Sequence, residues 1–287
     1  MARTFALSCD RLHPADPIDT RSLALLARAA HFAPGQSIPQ GLLLATVLHA
    51  PQNVRQAGKR VIRRLLAVIG WAMEVPDAAV QVEDALGRLL ALGLLEPDMA
   101  GAVRLHRLLA VFVRAVAQDA AAQTAVADTL LAEAERLVGA GYPAALLPLL
   151  PHLRAVTEAA QPRGDGQTAR LDTALGNTLR LLGDYAGAQP AYQQALALRE
   201  RALGPDHPDT ARSLNNLAEL YRAQGRYGEA EPLYQRALAI YEQALGPDHP
   251  HTAAVRESCA ILLRRRRREA ASSLSLWQWF RTWLSGT

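Results

Sequence analysis

Few residues of this sequence have the type and spacing that catalysis or metal binding needs. Three histidines, His207, His249 and His251, come nearest to a metal site. His207 and His249 are 42 residues apart and occupy equivalent places in two copies of a repeated sequence. Equivalent atoms of stacked helical layers lie roughly 10 Å apart, which is too far for one shared ion. Because no Ser-His-Asp or Cys-His grouping stands out either, we expect no metal, no cofactor and no catalytic residue.

The only lysine, Lys59, lies in the stretch NVRQAGKR, which partly matches a phosphate-binding loop. Such a loop requires G-x-x-x-x-G-K-[ST], because backbone N–H groups and the lysine surround the phosphates while the hydroxyl holds magnesium. Asn53 stands where the first glycine is required, and Arg60 replaces the hydroxyl residue. The sequence therefore predicts that this chain does not hydrolyse ATP and is not an enzyme.

The composition favours packed helices over sheets. Hydrophobic residues make up 50% of the 287 residues, yet aromatic residues make up only 5%. Most of the apolar residues are Ala and Leu, which suit helices better than strands. The net charge of +4 neither requires nor excludes an anionic partner. Two cysteines, Cys9 and Cys259, are too few for a disulfide framework, and no secretion signal is apparent, so we expect a cytoplasmic location.

The C-terminal half contains an internal repeat. The sequence ALGPDHPDTAR at 202–212 returns as ALGPDHPHTAA at 244–254, a shift of 42 residues. When 169–210 is aligned with 211–252 without a gap, 22 of 42 positions are identical. The identical positions include glycine, proline and tyrosine residues, which chance would not keep in phase. A repeat of this length indicates a stack of similar units.

Each unit is predicted to contain two helices, A and B. In the second unit, helix A runs from about 208 to 223, starts with a proline and is capped by Asp206 or His207. Gly225 permits the left-handed conformation that ends a helix. Helix B begins at Tyr227, and its apolar residues recur every three to four positions.

The arrangement LNNLAELYRAQGRYGEAEPLYQRALAI resembles a tetratricopeptide repeat (TPR), and the 42-residue period with its GPDHPDT link is similar to the kinesin-light-chain type. The resemblance implies a solenoid in which helices A line a groove that holds an extended protein or peptide segment. The alternative is a solvated helix face, although two successive asparagines, which are poor helix formers, favour a contact. The resemblance implies the following residues at the groove, called groove residues below: Arg170, Asn177, Arg212, Asn215, Asn216 and Glu219.

The N-terminal half is also patterned. The stretch 22–47 reads as an apolar helix, a Pro-Gly break and a second helix. The stretch 77–116 predicts a helix at 77–92, a strand at 93–96, a turn, a return strand at 102–105 and a helix at 106–118. A helix followed by a two-stranded wing is typical of a winged helix.

Two blocks of this half, ARAAHFAPGQSIPQGLL and LLEPDMAGAVRLHRLLAVFVR, resemble the helical and winged-helix subdomains of NB-ARC (STAND-type) ATPases. The resemblance implies the sensor or interaction arm of a bacterial STAND-type signalling system, whose nucleotide-binding domain is missing here and could be a separate chain. It also implies that His106 falls where this family carries a histidine that contacts the β-phosphate of ADP. The alternative for His106 is capping or packing at a helix start.

A DNA-binding regulator that uses the winged helix is the alternative function. Its recognition helix would be 77–92, which carries Asp77, Glu83 and Asp84 against one cation, Arg88. Because contact with phosphates requires several cations, this charge argues against DNA. The basic stretch at 55–64 could offer another DNA-binding patch, but it could equally be an exposed helix face.

The chain is predicted to be mainly α, with a winged-helix-like module and a small β-wing followed by a TPR α-solenoid. We expect an NB-ARC-like helical subdomain at 1–50, a winged-helix-like domain at 51–122, the solenoid at 123–264 and a tail at 265–287. The solenoid contains the clear repeats 169–210 and 211–252 between degenerate flanking pairs. The tail begins within the run of five arginines from Arg264 to Arg268 and is rich in tryptophan. This composition is typical either of a cap on the solenoid or a disordered end, or of contact with an anionic membrane surface or a partner.

Overall fold

The fold is that of a computed structural model, which describes residues 11–13, 15–48, 78–98, 101–117 and 119–265. Predictions for Cys9, for the basic stretch 55–64 with its partial phosphate-loop motif, and for the tail beyond Arg265 fall outside the described residues. The chain divides into two compact units, Met1–Ala159 and Ala160–Thr287, which are called the N-terminal and the C-terminal unit. Both units are mainly helical within the described residues.

The N-terminal unit is built from helices whose starts follow from local capping. Asp16 precedes a proline and accepts hydrogen bonds from the backbone N–H groups of Ile18 and Asp19, which fixes the start of the first helix. Asp119 caps the longest helix of this unit in the same way. The helices are α1 Pro17–Ala29, α2 Gln40–Leu48, α3 Ala78–Ala91, α4 Arg107–Ala117, α5 Ala120–Ala140, α6 Pro143–Leu146 and α7 Leu150–Ala160.

A small antiparallel sheet lies among these helices. Its strands are β1 Ser37–Pro39, β2 Glu96–Asp98 and β3 Ala102–Arg104, in the order β1-β3-β2. Ile38 and Val103 are paired in the register and are almost fully buried, so they anchor the sheet in the core. β1 comes from the predicted segment 1–50 and pairs with β3 of the predicted segment 51–122.

The predicted helix–wing–helix order is confirmed, but the first wing strand lies three residues later than expected. The expected strand 93–96 contains Leu94 and Leu95, whose N–H groups instead bond to the carbonyl of Leu89 at the end of α3. Gly93, with φ of 66°, allows this helix-ending turn. Both leucines are buried there, and the strand begins only at Glu96.

The helices at 120–160, predicted as a degenerate repeat pair, make their main contacts within the N-terminal unit, where α5 packs against α1 and α2. His152 of α7 is fully buried and touches Phe32 edge-on, with ring centroids 5.2 Å apart. Its Nδ1 accepts a hydrogen bond from the N–H of Ala33 at 3.2 Å, and its Nε2 lies 2.9 Å from the carbonyl oxygen of Ser37. This arrangement requires a neutral imidazole that carries its proton on Nε2.

The C-terminal unit consists of successive helices joined by short loops, so neighbouring helices are antiparallel. The predicted helix A at 208–223 and the predicted start of helix B at Tyr227 are confirmed, and Gly225 has φ of 75°. The predicted cap is His207, whose Nδ1 accepts from the N–H of Asp209. The helices are α8 Gly166–Leu181, α9 Tyr185–Leu203, α10 Pro208–Ala223, α11 Tyr227–Leu245 and α12, which covers 250–265 within the described residues.

A buried threonine closes each joint between helix pairs. The hydroxyl of Thr210 donates to the carbonyl of Gly204 at 2.8 Å, and that of Thr252 donates to the carbonyl of Gly246 at 2.8 Å. Thr168 makes the corresponding bond to Ala160 at 3.0 Å. The predicted fold class, mainly α with a small β-wing and an α-solenoid, is thus confirmed.

Candidate functional site

Two of the groove residues are tied to tyrosines within their own helix pairs. The hydroxyl of Tyr192 donates to Asn177 Oδ1 at 2.7 Å, and the hydroxyl of Tyr234 donates to Glu219 Oε1 at 2.6 Å. Both tyrosines are almost fully buried, and burial raises the pKa of Tyr192 to about 12. Asn177 and Glu219 therefore have a structural role, because each holds a buried phenol in place.

Both carboxylate oxygens of Glu219 already have partners within the chain. Its Oε2 lies 2.5 Å from Arg222 Nη2, while its Oε1 accepts from Tyr234. Burial by itself would raise the pKa of Glu219, but the hydrogen bonds from Tyr234 and Arg222 bring it below its ordinary value. The carboxylate is consequently ionised at neutral pH and already paired.

The two groove arginines, Arg170 and Arg212, are exposed. Arg212 forms an ion pair with Asp209, one turn earlier on α10, at 3.0 Å. An exposed pair of this kind contributes little to stability, so it can exchange for a ligand at small cost. Both guanidinium groups therefore stay accessible to a partner.

Asn215 and Asn216 differ from the other groove residues. Both are half-buried, and their side chains make no hydrogen bond to any other residue within the described part of the chain. Each amide carries two N–H donors and one acceptor oxygen, which is the complement of an extended backbone. These two residues therefore carry unused hydrogen-bonding capacity at the groove.

Sequence reasoning missed two buried charges in the C-terminal unit. The first is Asp172 of α8, which is completely buried and accepts a hydrogen bond from Gln161 Nε2 at 2.9 Å through Oδ1. Its other oxygen, Oδ2, is buried without a hydrogen-bond partner. Burial raises the pKa of Asp172 to about 6, although Gln161 and Arg199 act in the opposite direction.

The second buried charge is Arg199 of α9, which is only 4% exposed. Its Nη1 donates to the hydroxyl of Ser213 on α10. Burial, followed by the positive charge of Arg212, lowers the pKa of Arg199 to about 10. The sequence contains a signal for both charges, because each stands where the next repeat has an uncharged residue. In the 42-residue alignment, Asp172 lies opposite Leu214 and Arg199 lies opposite Tyr241.

The sequences of residues 167–243 and 214–275 match the tetratricopeptide repeat family. Residues 167–275 carry tetratricopeptide repeats. No curated protein matches the chain.

Solved TPR structures show further similarity. Crystal structures of nearly identical TPR-like repeats of a kinesin-light-chain-type protein from Podosopora anserina, the original and a form with one substitution, have TM-scores of 0.43 and 0.42 at 21% identity. Both cover 47% of this chain, which spans 64% of theirs. BtubC (BKLC) from P. vanneervenii has a TM-score of 0.34 at 19% identity, with 50% of this chain and 65% of that chain covered. These likenesses are low, and the repeat assignment rests on the family match and the 42-residue period.

The histidines that the sequence singles out lie at helix starts. His207 precedes TPR helix α10, and His249 accepts a hydrogen bond from the N–H of His251 at 3.2 Å in the equivalent place. His106 likewise accepts from the N–H of Leu108 at 3.2 Å, at the start of α4. Within the described residues, no group of three or more His, Cys, Asp or Glu side chains is arranged to hold a metal ion.

The surface of α3 does not favour the DNA-binding alternative. Glu83 and Asp84 are exposed, whereas Arg88 is paired with Asp19 at 3.0 Å. A phosphate backbone would therefore meet two carboxylates and an arginine that already has a partner. Among the helices of the described ranges, none is both long and apolar enough to cross a bilayer.

Proposed function

We propose that the C-terminal unit, which carries the TPRs and is also called the TPR unit below, binds an extended segment of another protein and performs no chemistry on it. The observation that carries this proposal is the pair Asn215 and Asn216, half-buried amides without a hydrogen-bond partner in the described part of the chain. Their amide atoms are not among the buried side-chain atoms that lack a partner, so water reaches them, and a ligand can replace that water with direct hydrogen bonds. Proteins that contain TPRs generally bind protein or peptide partners, which agrees with this reading.

The chemistry of the groove residues sets what the partner offers. Asn215 and Asn216 supply donors and acceptors for the N–H and C=O groups of an extended backbone. Arg170 and Arg212 supply guanidinium groups that pair with carboxylates in a bidentate manner. Asn177 and Glu219 contribute by holding Tyr192 and Tyr234, which fixes the spacing of the helices on which the other groove residues lie.

The test compares two double variants of the full chain. Affinity capture from the native host first supplies the partner. Asn215→Ala combined with Asn216→Ala removes two hydrogen bonds of about 0.5–1.5 kcal/mol each, so we expect the Kd for this partner to rise about 5-fold to 150-fold.

Gln193→Ala combined with Gln194→Ala is the matched control, because these two adjacent amides are exposed on α9. Its Kd should remain unchanged, and both variants should keep the helical CD signal of the parent chain. An unaltered Kd in the Asn215 and Asn216 variant would contradict the proposal.

A finer role is that of the sensor or interaction arm of a STAND-type bacterial signalling system in the cytoplasm. It is supported by the order of the NB-ARC-like blocks and the TPRs in the sequence, and by the helix–wing–helix order of the N-terminal unit. The nucleotide-binding chain would then be a separate protein, and His106 would face its bound ADP. Recovery of a P-loop protein with this chain, reduced by His106→Ala, is the expected result, and a partner set without any P-loop protein would refute this role.

A further inference from the structure

Arg199 is a buried cation with little compensation. It is 4% exposed, and its one hydrogen bond to a described residue is the bond from Nη1 to the hydroxyl of Ser213. A guanidinium carries five N–H donors, so most of its donor capacity is unused. A buried charge in this condition is expensive unless a counter-charge is supplied.

No acid within the described residues forms an ion pair with Arg199. The nearby carboxylate of Asp209 is already paired with Arg212 at 3.0 Å. Asp172 interacts with the charge of Arg199 and, with a pKa of about 6, is largely ionised at neutral pH, but it forms no ion pair or hydrogen bond with Arg199. The charges of Arg212 and Arg170 also act on Arg199, and both oppose its own. Arg199 therefore has no carboxylate in direct contact among the described residues, although two other arginines act on it.

Packing does not demand an arginine at this place. The 42-residue alignment puts Tyr241 at the equivalent position of the next TPR, where it is 5% exposed. A neutral aromatic side chain thus fills the same position in the same kind of helix pair. The charge of Arg199 is a property of this one repeat, which points to a role other than packing.

The guanidinium is nevertheless reachable from outside. In the described part of the chain, the buried side-chain atoms without a hydrogen-bond partner are Asp172 Oδ2 and Thr178 Oγ1. The nitrogens of Arg199 are not among them, so those that do not bond to Ser213 reach the surface. The groove residues Arg170 and Arg212 act on it from the two neighbouring A helices, α8 and α10.

We propose that Arg199, Ser213 and Arg212 form an oxyanion-binding subsite that takes a carboxylate or phosphate group of the bound polypeptide. The proposal rests on the proposed function, since it places one group of the partner in the groove. Two oxygens of a carboxylate or of a phosphate accept two parallel N–H bonds from the free edge of a guanidinium. Arg212 can leave Asp209 to contact the same anion, because its present ion pair is exposed.

The test uses small anions as probes and needs no partner protein. The melting temperature of the full chain is measured in inorganic phosphate, in acetate and in chloride at equal ionic strength. With millimolar binding, about 50 mM of the favoured anion should raise the Tm by about 3 °C over chloride. The Nε–H NMR resonance of Arg199 should shift in the same titration.

Three variants make the assignment specific. Arg199→Tyr introduces the residue of the next repeat and should lose the Tm gain. Arg199→Lys keeps the positive charge but lacks the paired N–H donors of a guanidinium, so it should retain only part of the Tm gain. Arg236→Gln is the control for net charge, since Arg236 is an exposed cation paired with Glu200, and it should keep the full gain.

A gain in phosphate alone identifies a phosphate group of the partner, and a gain in acetate alone identifies a carboxylate. Equal Tm values in all three salts, a stationary Arg199 resonance, or an undiminished gain in Arg199→Tyr would each overturn the proposal. These outcomes are independent of the Asn215 and Asn216 experiment, so the two proposals can fail separately.

Discussion

The buried carboxyl of Asp172 makes the stability of the C-terminal unit depend on pH in a direction opposite to that of an ordinary salt-bridged acid. Its pKa is about 6 in the folded chain, against an ordinary value of 3.8. The folded state therefore holds the proton more tightly than the unfolded state does. The stability that this group contributes is complete below pH 3.8 and is lost as the pH rises through 6.

The perturbation is Asp172→Asn, which keeps an oxygen for the hydrogen bond from Gln161 and removes the charge. A difference of this size between the two pKa values corresponds to about 3 kcal/mol when the group is ionised. The advantage of the variant should be about 0.5 kcal/mol at pH 4 and should approach about 3 kcal/mol at pH 8. The pKa of about 6 already includes the hydrogen bond from Gln161, so the loss of that charged bond needs no separate correction.

The assay is urea unfolding of the full chain, followed by far-UV CD at several pH values between 4 and 8. Asp206→Asn serves as the control, since Asp206 is exposed in the loop before α10 and its removal should leave the pH profile unchanged. An Asp172→Asn variant that is destabilised at pH 8, or whose free-energy difference from the parent does not change with pH, would refute the reasoning.

Two further predictions concern a buried side chain in each unit that takes part in hydrogen bonds. Thr210→Val removes the hydroxyl that donates to Gly204 and should lower the free energy of unfolding by about 1–2 kcal/mol in a urea titration. Thr173→Val is the control, because the hydroxyl of Thr173 bonds within its own helix to Ala169, and it should cost less than about 0.5 kcal/mol. Burial lowers the pKa of His152, so the unfolded chain binds its proton more readily and the N-terminal unit should lose stability as the pH falls below 6.5. His152→Gln should remove this loss from the pH profile, and a profile unchanged by the substitution would show that His152 is not its source.

The bounds of α10 could be predicted because proline has a fixed φ that suits a helix start, and glycine tolerates the left-handed conformation that follows a helix end. The proline at the start of α10 and Gly225 after its end fix both termini within one residue. β1 could not be predicted, because three residues that end in a proline show no alternation of apolar and polar side chains. Its pairing with β3 depends on contacts between residues more than 60 positions apart, which no local pattern contains.

The groove was harder to predict than the helices that carry it. Position in the repeat predicts Asn177 and Glu219 as polar groove residues, but it does not reveal their tyrosine partners, which lie 15 positions later in each repeat. Asp172 and Arg199 were missed because repeat comparison gives weight to what is shared, and both residues differ between the two copies. Their contacts show that departures from a repeat carry as much information as its conserved positions.

The same threonine–glycine hydrogen bond lies at both ends of the repeat that runs from Thr210 to Thr252. Thr210 bonds to Gly204 before the segment, and Thr252 bonds to Gly246 after it, with equal lengths. A further copy of the repeat could therefore be joined to the next one by the same hydrogen bond. Gene duplication of this 42-residue stretch would lengthen the array by one helix pair at a time. The length of the solenoid can therefore evolve in steps of one whole repeat.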